Sequence, residues 1–331
     1  MESDPTKAAD AAKATDAATT TTTATDGAKA TDAAKATDTD GAKPTDAAGI
    51  GAAAGTGASA GIGAAAGIGA SAGSGDIEAY LRRIGAERPV VPDAEALRRL
   101  HLQHLRTVPF ENLSIHLGEE IVLTERALLD KVVRDRRGGF CYELNGAFAM
   151  LLTALGYDAE LLSGRVYGED GRLGIPYDHA AVRVRTADGP LLADVGFGRH
   201  SHFPLRLDTA EEQADPGGVF RFVATDEGDL DVLRDGAPQY RLELRPRVLG
   251  DFEAGCWWQT TSPKSHFTQS LVCSRLTEDG GRITLSGRTF VSTAPDGSRT
   301  EREIPEDELL AAYRTHFGMS LDRTPVTPSP R

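Results

Sequence analysis

Cysteine is scarce in this chain: Cys141, Cys256 and Cys273 are the only three in 331 residues. An odd, widely spaced set is neither a disulfide framework nor a CxxC metal site, and it predicts a reduced, cytoplasmic protein. Long apolar runs are missing too; none approaches the roughly 18 residues that cross a bilayer. The opening Met1-Glu2-Ser3-Asp4 has no basic segment leading into an apolar one, so a secretory signal is not expected. Positive charge is in deficit. Lys and Arg number 36 against 49 Asp and Glu, a formal net charge of −13. No Lys/Arg cluster of the kind that neutralises nucleic-acid phosphates stands out. Neither nucleic acid nor membrane is therefore expected as a partner.

Residues 1–75 lack any aromatic residue and any Leu. Residues 1–48 are a loose Ala/Thr/Asp/Lys repeat ("KATDAA" at Lys13, "KATDAAKATD" at Lys29), and 49–75 are almost wholly Gly and Ala. Such a stretch cannot bury enough apolar surface to offset its ordering entropy, which predicts a disordered low-complexity tail over 1–75. Folding is expected from Asp76, the predicted N-cap of a helix ending at Gly85. A second helix opens at Asp93, with Leu97, Leu100, His104 and Leu105 at helical spacing, and breaks at Pro109. Thr124 is the predicted N-cap of a third. After Gly138-Gly139, read as a flexible turn, a fourth begins near Cys141, with Leu144, Phe148, Leu151, Leu152 and Leu155 as its apolar stripe and Gly156 as its stop.

Beyond Gly156 the pattern turns to strands at "AELLSGRVY", "HAAVRV", "LLADVGF", "YRLEL", "SLVCSRL", "RITLSG" and "RTFVS", with turns at "ADGP", "EDGG" and "PDG". "PEDELLAAYRTHFG" closes the folded part as a helix. Helices, then strands, then a mixed segment predict an α+β fold of three parts: a helical bundle at 76–160, a β-barrel at 161–265 and an α/β lid at 266–331.

The chemistry-bearing residues are Cys141, His179 and Asp194. A helix start stabilises a thiolate, and Cys141 follows Gly-Gly at one; its position suits a nucleophile and a buried structural thiol alike. A nucleophilic Cys needs a base, and the base needs an orienting group. His179 opens a strand, and Asp194 lies in the apolar run "LLADVGF", where a carboxylate is costly unless paired. A turn at Asp188-Gly189 would set Asp194 opposite Arg183 and leave the two side chains on the order of 13 Å apart along one face. Only a bulge or an asymmetric loop would let them meet. The pairs His101/His104 and His200/His202 have no third ligand, so no metal is expected. Cys256 and Cys273 read as structural, and Trp257 and Trp258 as an interface pair.

"RRGGFCYELN", "HAAVRV" and "ADVGFG" resemble, in order and separation, three signature blocks of the arylamine N-acetyltransferases. "LRTVPFENLSIHLG" and "SPKSHFTQSLVCSR" resemble two more, so the likeness spans about Ile77 to Phe317. The resemblance implies a helical bundle carrying the cysteine, a barrel carrying His and Asp, and a lid, on a core similar to cysteine proteases and transglutaminases. It implies a Cys141–His179–Asp194 triad, no bound cofactor, acetyl-CoA as co-substrate, and an arylamine or arylhydrazine acceptor. On the same basis Phe110, Phe197 and Phe267 match acceptor-pocket positions, and Arg199 matches one that meets CoA phosphates or the acceptor. Glu111 and Arg137 match a supporting ion pair behind the cysteine loop. An amide synthase using carrier-bound acyl chains, or a cysteine hydrolase, would carry the same triad.

Overall fold

The structure is a computed structural model and describes residues 73–326; the tail expected over 1–75 therefore lies, up to residue 72, outside the described residues. Helix α1 (Ser74–Ile84) starts two residues before Asp76, on Gly73. Asp76 sits instead in the first turn, where its charge still favours the helix's positive end. Helix α2 (Ala94–Thr107) opens on Asp93, whose carboxylate accepts the Ala96 N–H at 2.8 Å. After Pro109 come two elements that the sequence reading missed, strand β1 (Phe110–Glu111) and the short helix α3 (Leu113–Leu117). Helix α4 (Glu125–Leu129) is capped by Thr124, as expected, and runs on into a π-helical turn at Asp130–Arg134. Helix α5 (Cys141–Ala154) follows.

Eight strands make the second part: β2 (Asp158–Val166), β3 (His179–Thr186), β4 (Gly189–Leu192), β5 (Leu205–Arg206), β6 (Gln213–Asp215), β7 (Gly218–Ala224), β8 (Leu230–Arg234) and β9 (Ala237–Arg247). They form one sheet in the order β5-β4-β3-β2-β9-β8-β7-β6. Gln213 joins its two edges: the side-chain amide donates to the Arg206 carbonyl (2.9 Å) and accepts the Arg206 N–H (2.7 Å), so the sheet curls almost closed. Alternation along the strands serves two cores. Leu161, Ala180, Val182 and Val184 pack with α1, α2 and α5. Leu162, Ala181, Phe220, Val232, Tyr240 and Leu242 fill the barrel.

Helices α6 (Glu253–Thr261) and α7 (His266–Gln269) lead to a five-stranded antiparallel sheet of β10 (Val272–Leu276), β11 (Arg282–Ser286), β12 (Thr289–Thr293) and β13 (Arg299–Glu303), with β1 on its edge. Phe110 pairs with Ser274 and Glu111 with Cys273, so a strand from the helical part completes the C-terminal sheet. Helix α8 (Leu309–Phe317) packs Tyr313 and Phe317 into its core. Trp257 is 68% exposed, contrary to the interface expected of it. The architecture is the α+β arrangement of helical bundle, barrel and α/β layer. Among the described residues no helix is long and apolar enough to cross a membrane.

Candidate active site

The segment Arg137–Cys141 is pinned from both sides. The Glu111 N–H donates to the Gly139 carbonyl at 2.8 Å, tying the loop to β1. Gly138-Gly139 is not a flexible turn here: Gly139 forms a parallel bridge with Phe110, and neither glycine uses a positive φ. The glycines are required by close approach: a Cβ on Gly138 would lie 1.9 Å from the Pro109 carbonyl oxygen, and one on Gly139 would lie 2.5 Å from Glu143 Oε2. Behind the loop Arg137 Nε meets Glu111 Oε1 at 3.0 Å, and Arg137 Nη1 meets Glu119 Oε2 at 3.1 Å. Glu111 also accepts the Leu113 N–H at 2.6 Å. Burial would raise the Glu111 carboxyl; the charges of Arg137 and Lys131 outweigh it and hold the group low. A second pair joins Lys131 to Glu143, which accepts the Phe140 N–H at 3.2 Å and so caps the start of α5.

Helix α5 is buried on every face from Cys141 to Leu152, where the sequence suggested a single stripe. Cys141 is 4% exposed. Its Sγ donates to the Asp178 carbonyl at 3.9 Å, and the Ala180 backbone also bonds to it; these two residues flank His179. Burial pushes the thiol well up, and the charges of Asp178 and Asp194 add to this against the Ala180 contact. The lowering expected from the helix start is thus outweighed in the resting site.

His179 and Asp194 meet directly, Nε2 to Oδ2 at 2.7 Å. The turn explains it. Thr186 pairs with Gly189, so the chain reverses about Ala187-Asp188, one residue earlier than the sequence suggested. Arg183 stands opposite Leu192, and the Ala193 N–H continues the ladder to the Val182 carbonyl. That register brings Asp194 nearer to His179 before the chain turns away. Asp194 is fully enclosed. Oδ2 also accepts the Tyr240 hydroxyl (2.9 Å), and Oδ1 accepts Asn145 Nδ2 (2.8 Å) and the Gly196 N–H (3.0 Å). Burial would raise this carboxyl, but the His179 charge and hydrogen bond, with His200 and Asn145, hold it well below the usual range. Gly196 leaves no room for a side chain, since a Cβ there would lie 2.8 Å from Cys141 Cα.

Aromatic rings flank these residues. Phe197 stands edge-on to His179 with centroids 5.1 Å apart. Phe267 packs against Phe110 and Phe140 at 6.2 and 5.1 Å, and Gly198 lies against the Phe110 ring. Arg199 is exposed beside them. Three residues that the sequence reading missed belong to the site: Asn145, Tyr240 and Tyr142, whose hydroxyl donates to the Tyr177 and Asp178 carbonyls at 2.8 and 3.1 Å. Asn145 was findable, one helical turn after Cys141; Tyr240 comes from a distant strand with no local signal. Burial pushes Cys256 up to about 12 and Cys273 well up too, as befits inert thiols. A cavity of about 610 Å³ opens behind the loop near Ser114, Lys131, Arg137 and Arg323, but none of Cys141, His179 and Asp194 lines it. Among the described residues no group of three or more His, Cys, Asp or Glu could hold a metal.

A family model described as N-acetyltransferase matches residues 93–326. The arylamine N-acetyltransferase of Escherichia coli (strain K12) is 34% identical over 73% of this chain and 88% of its own length. That of Mycolicibacterium smegmatis is 35% identical over 74% and 92%. Among solved structures, the arylamine N-acetyltransferase from Salmonella typhimurium aligns with a TM-score of 0.70 at 32% identity, over 77% of this chain and 95% of that one. The Mycobacterium marinum enzyme in complex with CoA aligns at 0.67 and 30%, over 73% and 92%. The chain therefore belongs to the arylamine N-acetyltransferase family of acyltransferases.

Proposed function

We propose that this enzyme moves an acetyl group from acetyl-CoA to an arylamine or arylhydrazine by way of an acetyl thioester on Cys141. The observation that carries the reading is the 2.7 Å bond from His179 Nε2 to Asp194 Oδ2, with the Cys141 thiol between the backbones of Asp178 and Ala180. An ionised Asp194 fixes the Nε2–H tautomer and leaves Nδ1 as the base. Cys141 is not a standing thiolate on this reading: burial keeps its proton on sulfur until His179 takes it as the substrate arrives.

The thiolate attacks the thioester carbonyl, and first-turn N–H groups of α5 stabilise the oxyanion. CoA leaves with the proton from His179. The amine then attacks the acetyl-cysteine, His179 accepts its proton, and Cys141 is released as the amide departs. Phe110, Phe197 and Phe267 wall the acceptor site and exclude water, while Arg199 stands at its rim. Glu111 and Arg137 hold the cysteine loop from behind. In this division the nucleophile belongs to 76–160, its base and orienting acid to 161–265, and the lid to 266–331. The described cysteines are all unpaired, which suits a reduced, cytoplasmic setting.

The test is the mass of the intact protein after acetyl-CoA is added. One acetyl group should appear, map to Cys141 and discharge on adding an aniline. An unmodified protein that hydrolyses acetyl-CoA, with no acceleration by any arylamine, would identify a hydrolase instead.

A further inference from the structure

The carboxylate of Asp178 takes no part in the reaction proposed above, yet it stands beside it. The Asp178 carbonyl accepts the Cys141 thiol, and His179 is the next residue. Its charge works against ionisation of Cys141, and burial pushes its own carboxyl up. Charge is therefore a cost at this position, and hydrogen-bond geometry is what the carboxylate supplies. Oδ2 accepts the Val166 N–H at 3.3 Å, and Oδ1 accepts Gln259 Nε2. Both facing groups are donors. A carboxylate accepts from both, whereas an amide, with one oxygen, could satisfy only one of them.

Gln259 carries the connection onward. It lies one turn after Gly255 on α6, so the two share a face. That face meets the Tyr177–Asp178 backbone: a Cβ on Gly255 would lie 2.5 Å from the Tyr177 carbonyl oxygen. Tyr177 itself holds a left-handed φ of 59°, and its carbonyl and that of Asp178 both accept the Tyr142 hydroxyl. Gln259 and Ser265 are buried. Gln259 Oε1 accepts the Ser265 hydroxyl at 2.6 Å, and Ser265 Oγ accepts the Phe267 N–H at 3.2 Å, capping α7. The far end of α7 is tied to the helical part, where Asn112 Nδ2 donates to the Phe267 and Ser270 carbonyls at 3.0 and 2.6 Å. Phe267 thus hangs between two anchors, and only the first leads to the strand of His179. Buried, fully satisfied networks of this kind are rigid. We propose that Asp178, Gln259 and Ser265 are positioning residues, a hydrogen-bonded link that fixes the Phe267 wall against the backbone carrying His179. This rests on the transferase reading above.

The experiment exchanges the two ends of the first bond. Asp178→Asn sets one acceptor oxygen against two donors, and Gln259→Glu sets two carboxylates against each other. Each should slow discharge of acetyl-Cys141 to aniline, relative to its loading by acetyl-CoA, roughly tenfold, the loss expected for one charged hydrogen bond. In the double variant the introduced amide donates to the introduced carboxylate. Val166 and Ser265 keep their acceptors, the net charge is that of the wild type, and most of the loss should be regained. Equal slowing of both half-reactions, or a double variant no better than Asp178→Asn, would overturn the proposal; neither comparison requires Gln259→Glu alone to fold. Labelling of Cys141 by N-phenylmaleimide and N-methylmaleimide, each relative to free cysteine, needs no acetyl transfer. The wild type should favour the phenyl reagent, Asp178→Asn should lose that preference and the double variant regain it. Should no acetyl-enzyme form, the transferase reading fails, yet this labelling pattern still supports the link. A phenyl preference absent from the wild type, or unchanged across the variants, overturns it.

Discussion

Asp194 accepts hydrogen bonds from His179, Tyr240, Asn145 and the Gly196 backbone, and these partners are not equivalent. Tyr240 makes one bond to it. Asn145 also donates to the Ala180 carbonyl at 2.6 Å and accepts the Val195 N–H at 2.9 Å, so it ties α5, β3 and the Asp194 loop together. Asn145→Ala leaves several buried groups unpaired and should cost about 2–5 kcal/mol of stability as well as slowing acetyl loading. Tyr240→Phe removes one charged hydrogen bond and should cost about 1.5–3 kcal/mol. Chemical denaturation and single-turnover loading check both. A Tyr240→Phe variant more damaged than Asn145→Ala would refute this view of how Asp194 is held.

At the scale of elements, the position of Cys141 depends on α5, and the register of α5 depends on the loop before it. Gly138 touches the Pro109 carbonyl so closely that any side chain must displace backbone. Gly138→Ala should therefore cost at least about 1–3 kcal/mol, the usual penalty of overpacking, and reduce Cys141 alkylation or acetylation by more than it reduces helix content. Gly250→Ala is the control, since a Cβ there meets nothing within 4 Å. Circular dichroism with thiol labelling distinguishes the two, and equal behaviour of the variants would count against the close-approach argument. Legibility varied at this scale. Helices α2 and α4 were readable from Asp93 and Thr124, because a cap is a local hydrogen bond. Strands β5, β6 and β8 were not: they are two, three and five residues long, mix polar with apolar residues, and are strands because the barrel pairs them; β7 went unread despite its alternating Phe220 and Phe222.

Over the whole molecule, buried histidines set the response to acid. His101 and His104 are fully buried between α2 and Phe148. His200 is enclosed by Phe197, Phe220 and Tyr240. Burial lowers His101 and His200 to about 4 and His104 well below 6.5. Below pH 6.5 the unfolded chain binds protons at these rings that the folded chain refuses, down to about pH 4 at His101 and His200. Stability therefore falls as pH drops through that window, by on the order of 3 kcal/mol per ring at its lower end. Asp194, also held low, works in the same direction at lower pH: its contribution is lost as pH falls below the usual carboxylate range. Tm should decline steeply from pH 6.5 to 5, and a Tm flat across that interval would contradict the burial of these rings in neutral form.

What the sequence determined by itself was local or spelled out in consecutive residues: the caps of α2 and α4, the start of α5 at Cys141, the hairpins at "EDGG" and "PDG", and the blocks that mark the family. It also presented His179 and Asp194 as candidates without a way to bring them together. A one-residue shift of the β3–β4 turn decided that, because each residue of shift moves the facing pair by two positions. Only the tertiary structure could add Tyr240 from β9 to Asp194, set β1 on the edge of the C-terminal sheet, and bring Arg199, Arg234 and Arg282 within reach of one another's charge. These contacts join residues far apart in the chain, and their energies depend on a burial that no short stretch of sequence specifies.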